Sequence, residues 1–442
     1  MTKRHGYALL AAILAVVVVL SAAIYIGVAA DDGTAAKPAV ASGHTSHDAA
    51  PASTGTWVGA WSASPVGAEP GTEPDGLAGR SVRNVVHTAA GGTSARITLS
   101  NLYGQQPLVV THATIALADT ADSAAATADT MRRLTFGGAT AVEIPVGRQV
   151  TSDAARVRVP HGADVLVTTY SPTLSGPVTY HPHARQISYV ADGDRTEDPS
   201  AIAYTEQTPY WRYLTALDVL SDDATGTVVA FGDSLTDGIT STVGANRRWT
   251  DALSERLRDA AGSGDTPRYS VVNQGISGNQ VLAAGFGRPA DNPSGLNRFG
   301  RDVLDRPNVK AVVIDLGVND ILRNPNQVDP VTVTDGLRTL VRQAHARGLR
   351  VVGATLMPFQ GHRGYTDARD AVRRAVNAEI RAGKVYDAVV DFDAALRDPH
   401  NPRRLLPDYD SGDHLHPSDK GFARMAEVFD LKELKGPVPA EL

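Results

Sequence analysis

Beyond residue 222 the chain carries five apolar runs of strand length, with stretches of helical periodicity between them. The runs are "TVVAF" (residues 227–231), "YSVVN" (269–273), "AVVIDLG" (311–317), "RVVGATL" (350–356) and "AVVDF" (388–392). Between them, Trp249, Leu253 and Leu257 recur at i+4. Leu337, Leu340, Val341 and Ala344 form one stripe, and Val372, Ala375, Val376 and Ile380 another. "SDKGFARMAEVFDL" opens with a Ser-Asp helix start signal and closes the domain. This alternation predicts an α/β domain over residues 223–435: a mostly parallel sheet with helices on both faces.

Residues 57–220 have another texture. "ARITLSNLYG" (95–104) alternates, with Ile97, Leu99 and Asn101 on one side. "DVLVTTYSP" (164–172) and "ARVRVP" (155–160) are short β-branched runs closed by turn residues. Long helical patterns are missing, which predicts an all-β accessory domain over 56–222, a sandwich or jelly roll. A length of 442 residues suits two such domains plus extensions. Residues 31–55 are rich in Ala, Ser, Thr and Pro and read as a flexible linker, with His44 and His47 as solvated linker residues; 436–442 is a tail.

The N-terminus points out of the cytoplasm. Lys3, Arg4 and His5 precede an uncharged run from Ala8 to Ala30, and Asp31 and Asp32 follow it. About 20 apolar residues span a bilayer, and the positive flank stays inside. Residues 1–30 therefore read as a signal peptide cut after Val28-Ala29-Ala30, or as an uncleaved anchor at residues 8–30 on the outer face of the membrane. Export follows from either reading, and the membrane enters only through this segment. With no cysteine, disulfides, thiolate metal sites and a cysteine nucleophile are excluded. A net charge of −6 offers no basic surface for nucleic acid.

In a parallel sheet, ligands bind beyond the carboxyl ends of the strands. Gly232-Asp233-Ser234 follows the first run, "NQGISGN" (273–279) the second and "GVND" (317–320) the third; "SGDHLHPSDKG" (411–421) lies near the C-terminus. Each has a bland reading. Ser234 and Asn319 suit helix caps, Gly275 suits a turn, and His414 and His416 suit a surface. Together, at one sheet edge, they are the parts of acyl transfer: nucleophile, backbone donor, side-chain donor, and base with orienter. Thr236 occupies the second glycine position of a G-x-S-x-G elbow, so Ser234 is not on an elbow of that kind.

These segments resemble the four signature blocks of the SGNH (GDSL) hydrolase superfamily. The blocks are G-D-S-L at 232–235, Gly275 in "NQGISGN", G-x-N-D at 317–320, and D-x-x-H at Asp413 and His416. "WVGAWSASP" (57–65), "GPVTYHPHARQISYV" (176–190) and "ATLMPFQG" (354–361) further resemble a bacterial secreted subgroup with an N-terminal β domain, similar to esterase domains fused to some xylanases. The resemblance implies a flavodoxin-like, three-layer α/β/α catalytic domain. It implies Ser234 as nucleophile, His416 rather than His414 as general base, and Asp413 as its orienter. Ser234, Gly275 and Asn319 would form the oxyanion hole, with no metal or other cofactor. The implied substrate is a small-molecule or carbohydrate ester carrying a short acyl or acetyl group. A lipase or phospholipase is the alternative enzyme, and a carbohydrate-binding surface protein using its β domain is the alternative outside catalysis.

Four further features carry expectations. Asp233 is expected to bond nearby backbone, Asp237 with Gly238 to start or cap the next segment, and Asp320 to support the Asn319 loop. "HPHARQ" (181–186) lacks a third metal ligand and reads as a structural loop or a contact with the catalytic domain. "AAGFGRPADNPSGLNRFG" (283–300) reads as an irregular loop flanking the substrate.

Overall fold

The computed structural model describes residues 55–284 and 292–435. The signal or anchor segment, nearly all of the linker and the tail lie outside the described residues.

Five strands form the parallel sheet, in the order Tyr269–Gly275, Gly226–Gly232, Val309–Asp315, Arg350–Ala354, Ala388–Val390. In chain order this is 2-1-3-4-5, the flavodoxin-like arrangement. The chain leaves the first strand in one direction and returns across it to the third. Right-handed crossovers then put helices on opposite faces, which buries both sides of the sheet. Val228, Val229, Ala230 and Phe231 are all fully buried, as a strand covered twice requires. The stripes anticipated from the sequence are the buried faces of the helices Trp249–Asp259 and Pro330–His345. On Asp367–Arg381 one position differs. Ala375 is exposed, while Arg373 and Asn377 are buried, because their polar heads bond Asp370, Asp393 and the Leu356 carbonyl.

Upstream lie two main antiparallel sheets. One has the order Thr56–Ser62, Leu214–Ser221, Ala95–Ser100, Gln149–Thr151. The other has six strands, with Arg80–His87 and Asp164–Ser171 at its centre. Val58, Ile97 and Leu217 of the first share a core with Val82, Val86 and Val165 of the second. Alternation sends Val85 to the opposite face, into a separate cluster. "ARVRVP" is not a strand; only isolated bridges at Ala155 and Val159 tie it to its neighbours.

The β region meets the α/β region through "WVGAWSASP". Gly59 N–H donates to Thr227 Oγ1 at 3.1 Å, and a Cβ on Gly59 would lie 2.9 Å from Val272 Cγ1. Ser62 Oγ donates to the Asn273 carbonyl at 3.3 Å, and Ser64 Oγ to Asp302 Oδ2 at 2.8 Å. The described half of 283–300 is not an irregular flap. Ser294 caps the helix Gly295–Phe299, whose buried Arg298 donates to the Gly232 and Gln274 carbonyls, each at 2.7 Å. It is a brace beneath the strand ends; residues 285–291 lie outside the described residues.

Candidate active site

One residue, Asp233, separates the strand Gly226–Gly232 from the helix Ser234–Asp237. Its Oδ1 accepts the Leu235 N–H at 3.0 Å and caps the helix. Ser234 is the first helical residue, whose N–H has no intrahelical partner. The turn is tight because position 232 is glycine: a Cβ there would lie 2.1 Å from Thr236 Oγ1. Gly232 thus allows the close approach, and Thr236 is free to donate its hydroxyl to Asp315 Oδ2 at 3.2 Å. Ser234 is not among the residues with positive φ, so the serine is presented without backbone strain.

His416 reaches it across 182 positions of sequence. Its Nε2 lies 2.8 Å from Ser234 Oγ, and its Nδ1 lies 2.6 Å from Asp413 Oδ2. The same carboxylate is fixed through Oδ1, which accepts the N–H groups of His416 at 2.8 Å and Leu415 at 3.0 Å. Burial pushes the Asp413 carboxyl up, but the hydrogen bonds from His416 and Leu415 outweigh it and hold it well below the usual range. His414 turns elsewhere: its Nδ1 lies 2.6 Å from Asp410 Oδ2.

Asn319 sits in the helix Val318–Leu322, which begins where Gly317 takes φ 128°. Asn319 Nδ2 donates to Asp233 Oδ2 at 3.0 Å, and its Oδ1 accepts from Arg323 Nε at 3.1 Å. With the oxygen so engaged, the second N–H of the amide is left for the cavity that Asn319 borders. Asp233 therefore does more than bond backbone: it orients Asn319. Burial, and then the nearby Asp315 carboxylate, push Asp233 up; burial pushes Asp315 up as well. Asp320 accepts the N–H groups of Val281 at 2.8 Å and Leu282 at 3.0 Å, tying the neighbouring loop to this helix.

Gly275 does not take the expected position. Its N–H donates to Asn273 Oδ1 at 2.8 Å, and its Cα backs onto the Asp237 backbone, which a Cβ would approach to 2.3 Å. It does not border the cavity. Gly278, three residues on, does; its φ is 77°, and its N–H has no acceptor among the described residues. The signal was present in the same motif, as the second glycine of "GISGN".

Asp237 does not cap the following segment either. It is buried, and Oδ1 lies 2.9 Å from His181 Nε2 of the β region. Its Oδ2 accepts the Ser277 N–H at 3.0 Å and also the Ser277 hydroxyl. The "HPHARQ" segment is thus a contact with the catalytic domain.

The cavity holds about 430 Å³, within the range of small-ligand sites. Ser234, His416, Asn319 and Gly278 meet in it. Its walls are Ile239, Leu322 and Leu415 on the apolar side and His183, Arg323, His362 and Arg363 on the polar side.

Residues 230–424 match the model of the GDSL-like lipase/acylhydrolase family. Solved structures similar to this chain include a carbohydrate acetylesterase from Sinorhizobium meliloti (19% identity, 46% of this chain and 95% of that one, TM-score 0.35). Others are an aryl esterase from M. smegmatis (17%, 46% and 95%, 0.37) and a member of the lipolytic G-D-S-L family from Veillonella parvula (18%, 46% and 95%, 0.32). A search of curated proteins returned no match. The family match falls on the parallel-sheet region and spans the serine, the asparagine and the Asp-His pair; residues 230–424 belong to the GDSL-like lipase/acylhydrolase family, and the protein is a carboxylic ester hydrolase.

Proposed function

We propose that the chain is an extracytoplasmic serine esterase that removes short acyl groups, acetyl among them, from carbohydrate or small-molecule esters. One observation carries the mechanism: a single imidazole bridges Ser234 Oγ at 2.8 Å and Asp413 Oδ2 at 2.6 Å. Ser234 Oγ attacks the acyl carbonyl carbon while His416 Nε2 takes its proton. The oxyanion is held by the N–H groups of Ser234 and Gly278 and by Asn319 Nδ2. As the tetrahedral adduct collapses, the alcohol leaves with the proton from His416. Water, deprotonated by the same base, then releases the acyl group from Ser234. Asp413 fixes Nδ1 as the protonated nitrogen and stabilises the imidazolium.

The short-acyl reading is supported by the cavity walls. Three aliphatic side chains give a small apolar surface, and the charged and imidazole groups beside them suit hydroxyl-rich alcohols. The extracytoplasmic reading is supported by the basic residues, apolar run and acidic pair of residues 3–32. The test is a series of nitrophenyl esters from acetate to dodecanoate, together with acetylated polysaccharide, with Ser234→Ala as control. Short esters should be preferred. A rate rising towards long chains would replace this reading with a lipase, and equal activity in the control would remove Ser234 as nucleophile.

A further inference from the structure

His181 and Asp237 are 4% and 3% exposed, and each comes from a different part of the chain. His181 lies on the short strand Tyr180–His181, paired with Trp211–Arg212, and its ring sits 5.4 Å from the Trp211 ring. Both ring nitrogens are engaged: Nδ1 lies 2.8 Å from the Ser64 carbonyl oxygen and Nε2 lies 2.9 Å from Asp237 Oδ1. A carbonyl oxygen can only accept, so Nδ1 carries a proton. Burial pushes the Asp237 carboxyl up, but His181 outweighs it and holds it below its ordinary range, so Asp237 is ionised and only accepts. The imidazole is thus tied at both nitrogens to fixed oxygens from different parts of the chain, which holds the ring in place.

The other oxygen of Asp237 points at the active site, where it takes both the N–H and the hydroxyl of Ser277. Ser277 immediately precedes Gly278, whose N–H is assigned above to the oxyanion. We propose that His181 is a positioning residue for ester hydrolysis: through Asp237 and Ser277, the β region holds the Gly278 N–H in register with Ser234. Ser64, the far anchor of the imidazole, lies near the end of "WVGAWSASP", and its hydroxyl donates to Asp302 of the parallel-sheet region. The chain of contacts thus starts and ends in the catalytic domain and passes through the β region between. This gives the β region a part in turnover, and it rests on the serine mechanism above.

The experiment measures kcat and KM for nitrophenyl acetate with the full chain. The variants are His181→Gln, Asp237→Asn, the double variant and Ser277→Ala, with Ser234→Ala as blank. Loss of one oxyanion donor typically costs 10²–10³ in rate, and misplacing one should cost about tenfold. His181→Gln and Asp237→Asn should each lower kcat by about tenfold with KM within about twofold, and the double variant should be no worse than Asp237→Asn alone. A lower Tm with unchanged kcat in His181→Gln would show a merely structural tie and overturn the proposal, as would additive effects in the double variant. If His181→Gln does not fold, Ser277→Ala decides: an unchanged kcat overturns the proposal, and a several-fold drop at unchanged Tm supports it. Wild-type protein without Ser234-dependent turnover would instead bring down the serine mechanism itself, and this inference with it.

Discussion

His416–Asp413 and His181–Asp237 are the same chemical pair in different settings. In the first, Nδ1 faces the carboxylate and Nε2 faces a hydroxyl that can give up its proton. In the second, one nitrogen faces a carboxylate and the other a backbone carbonyl, which can neither give nor take a proton. The first can therefore pass a proton to and from a reacting group, and the second fixes a ring between two oxygens that do not react. A third pair, His414–Asp410, is more exposed than either at the histidine and faces no reacting group. A histidine beside an aspartate does not by itself mark a base. The group on the ring's other nitrogen decides.

The sharpest test separates the two histidines of one turn. His416→Asn should lower kcat on the order of 10⁴-fold or more, as loss of a catalytic base does elsewhere. His414→Asn should leave kcat within about twofold, because a surface pair contributes little. Comparable losses in steady-state assays of both variants would break the distinction between a shuttling pair and an idle one.

The next effect divides the two glycines of "GISGN" by what they do. Asn319→Ala removes one oxyanion donor and should cost about 10²–10³ in kcat with a thermal midpoint near that of wild type. Gly278→Ala, forced at φ 77°, should fall in the same range by displacing the loop. Gly275→Ala should act first on stability, because its Cβ would meet the Asp237 backbone; overpacking of this kind costs about 1–3 kcal/mol. Calorimetry with kinetics on the three variants checks the division. A Gly275→Ala protein with a native midpoint and a hundredfold lower kcat would return the donor role to Gly275.

The parallel sheet was legible because its signal is repeated and local: apolar strands and amphipathic helices state their period within a few residues. Ser234, Asn319, Asp413 and His416 were legible as motifs at strand ends. Four things were not. Gly275 and Gly278 share a motif, and only backbone direction tells which N–H faces the cavity. Arg298 lay in a stretch dominated by Gly, Pro and Asn, where one capped helix of five residues leaves no periodic trace. The partnership of His181 with Asp237 joins positions 56 apart, one in the antiparallel β region and one beside the parallel sheet, and no local pattern encodes such a contact. Ala375 fitted the stripe by hydropathy, yet burial went to Arg373 and Asn377, which had polar partners waiting.

The smallest effect concerns two buried carboxyls that are pushed up rather than held down. Asp233 and Asp315 are both buried, and burial pushes both carboxyls up from the ordinary value, with the Asp315 charge adding to the effect at Asp233. Where contact with His181 holds the Asp237 carboxyl below its ordinary range, these two are held above it. A raised carboxyl pKa means the folded state binds more protons than the unfolded state, from about pH 4, the ordinary value, up to the raised values. Stability should therefore fall as pH rises through that window and level off above it, the opposite slope to the one Asp413 contributes between about pH 4 and lower values. Asp315→Asn removes one carboxyl yet leaves the Thr236 hydroxyl an acceptor, so it should flatten the fall by up to about 1.4 kcal/mol per pH unit. Urea midpoints of both proteins from pH 5 to 9 measure the difference. Parallel curves would mean that the Asp315 carboxyl is ionised throughout. The contrast between a buried carboxyl held down by its histidine partner and two held up by burial would then have to be withdrawn.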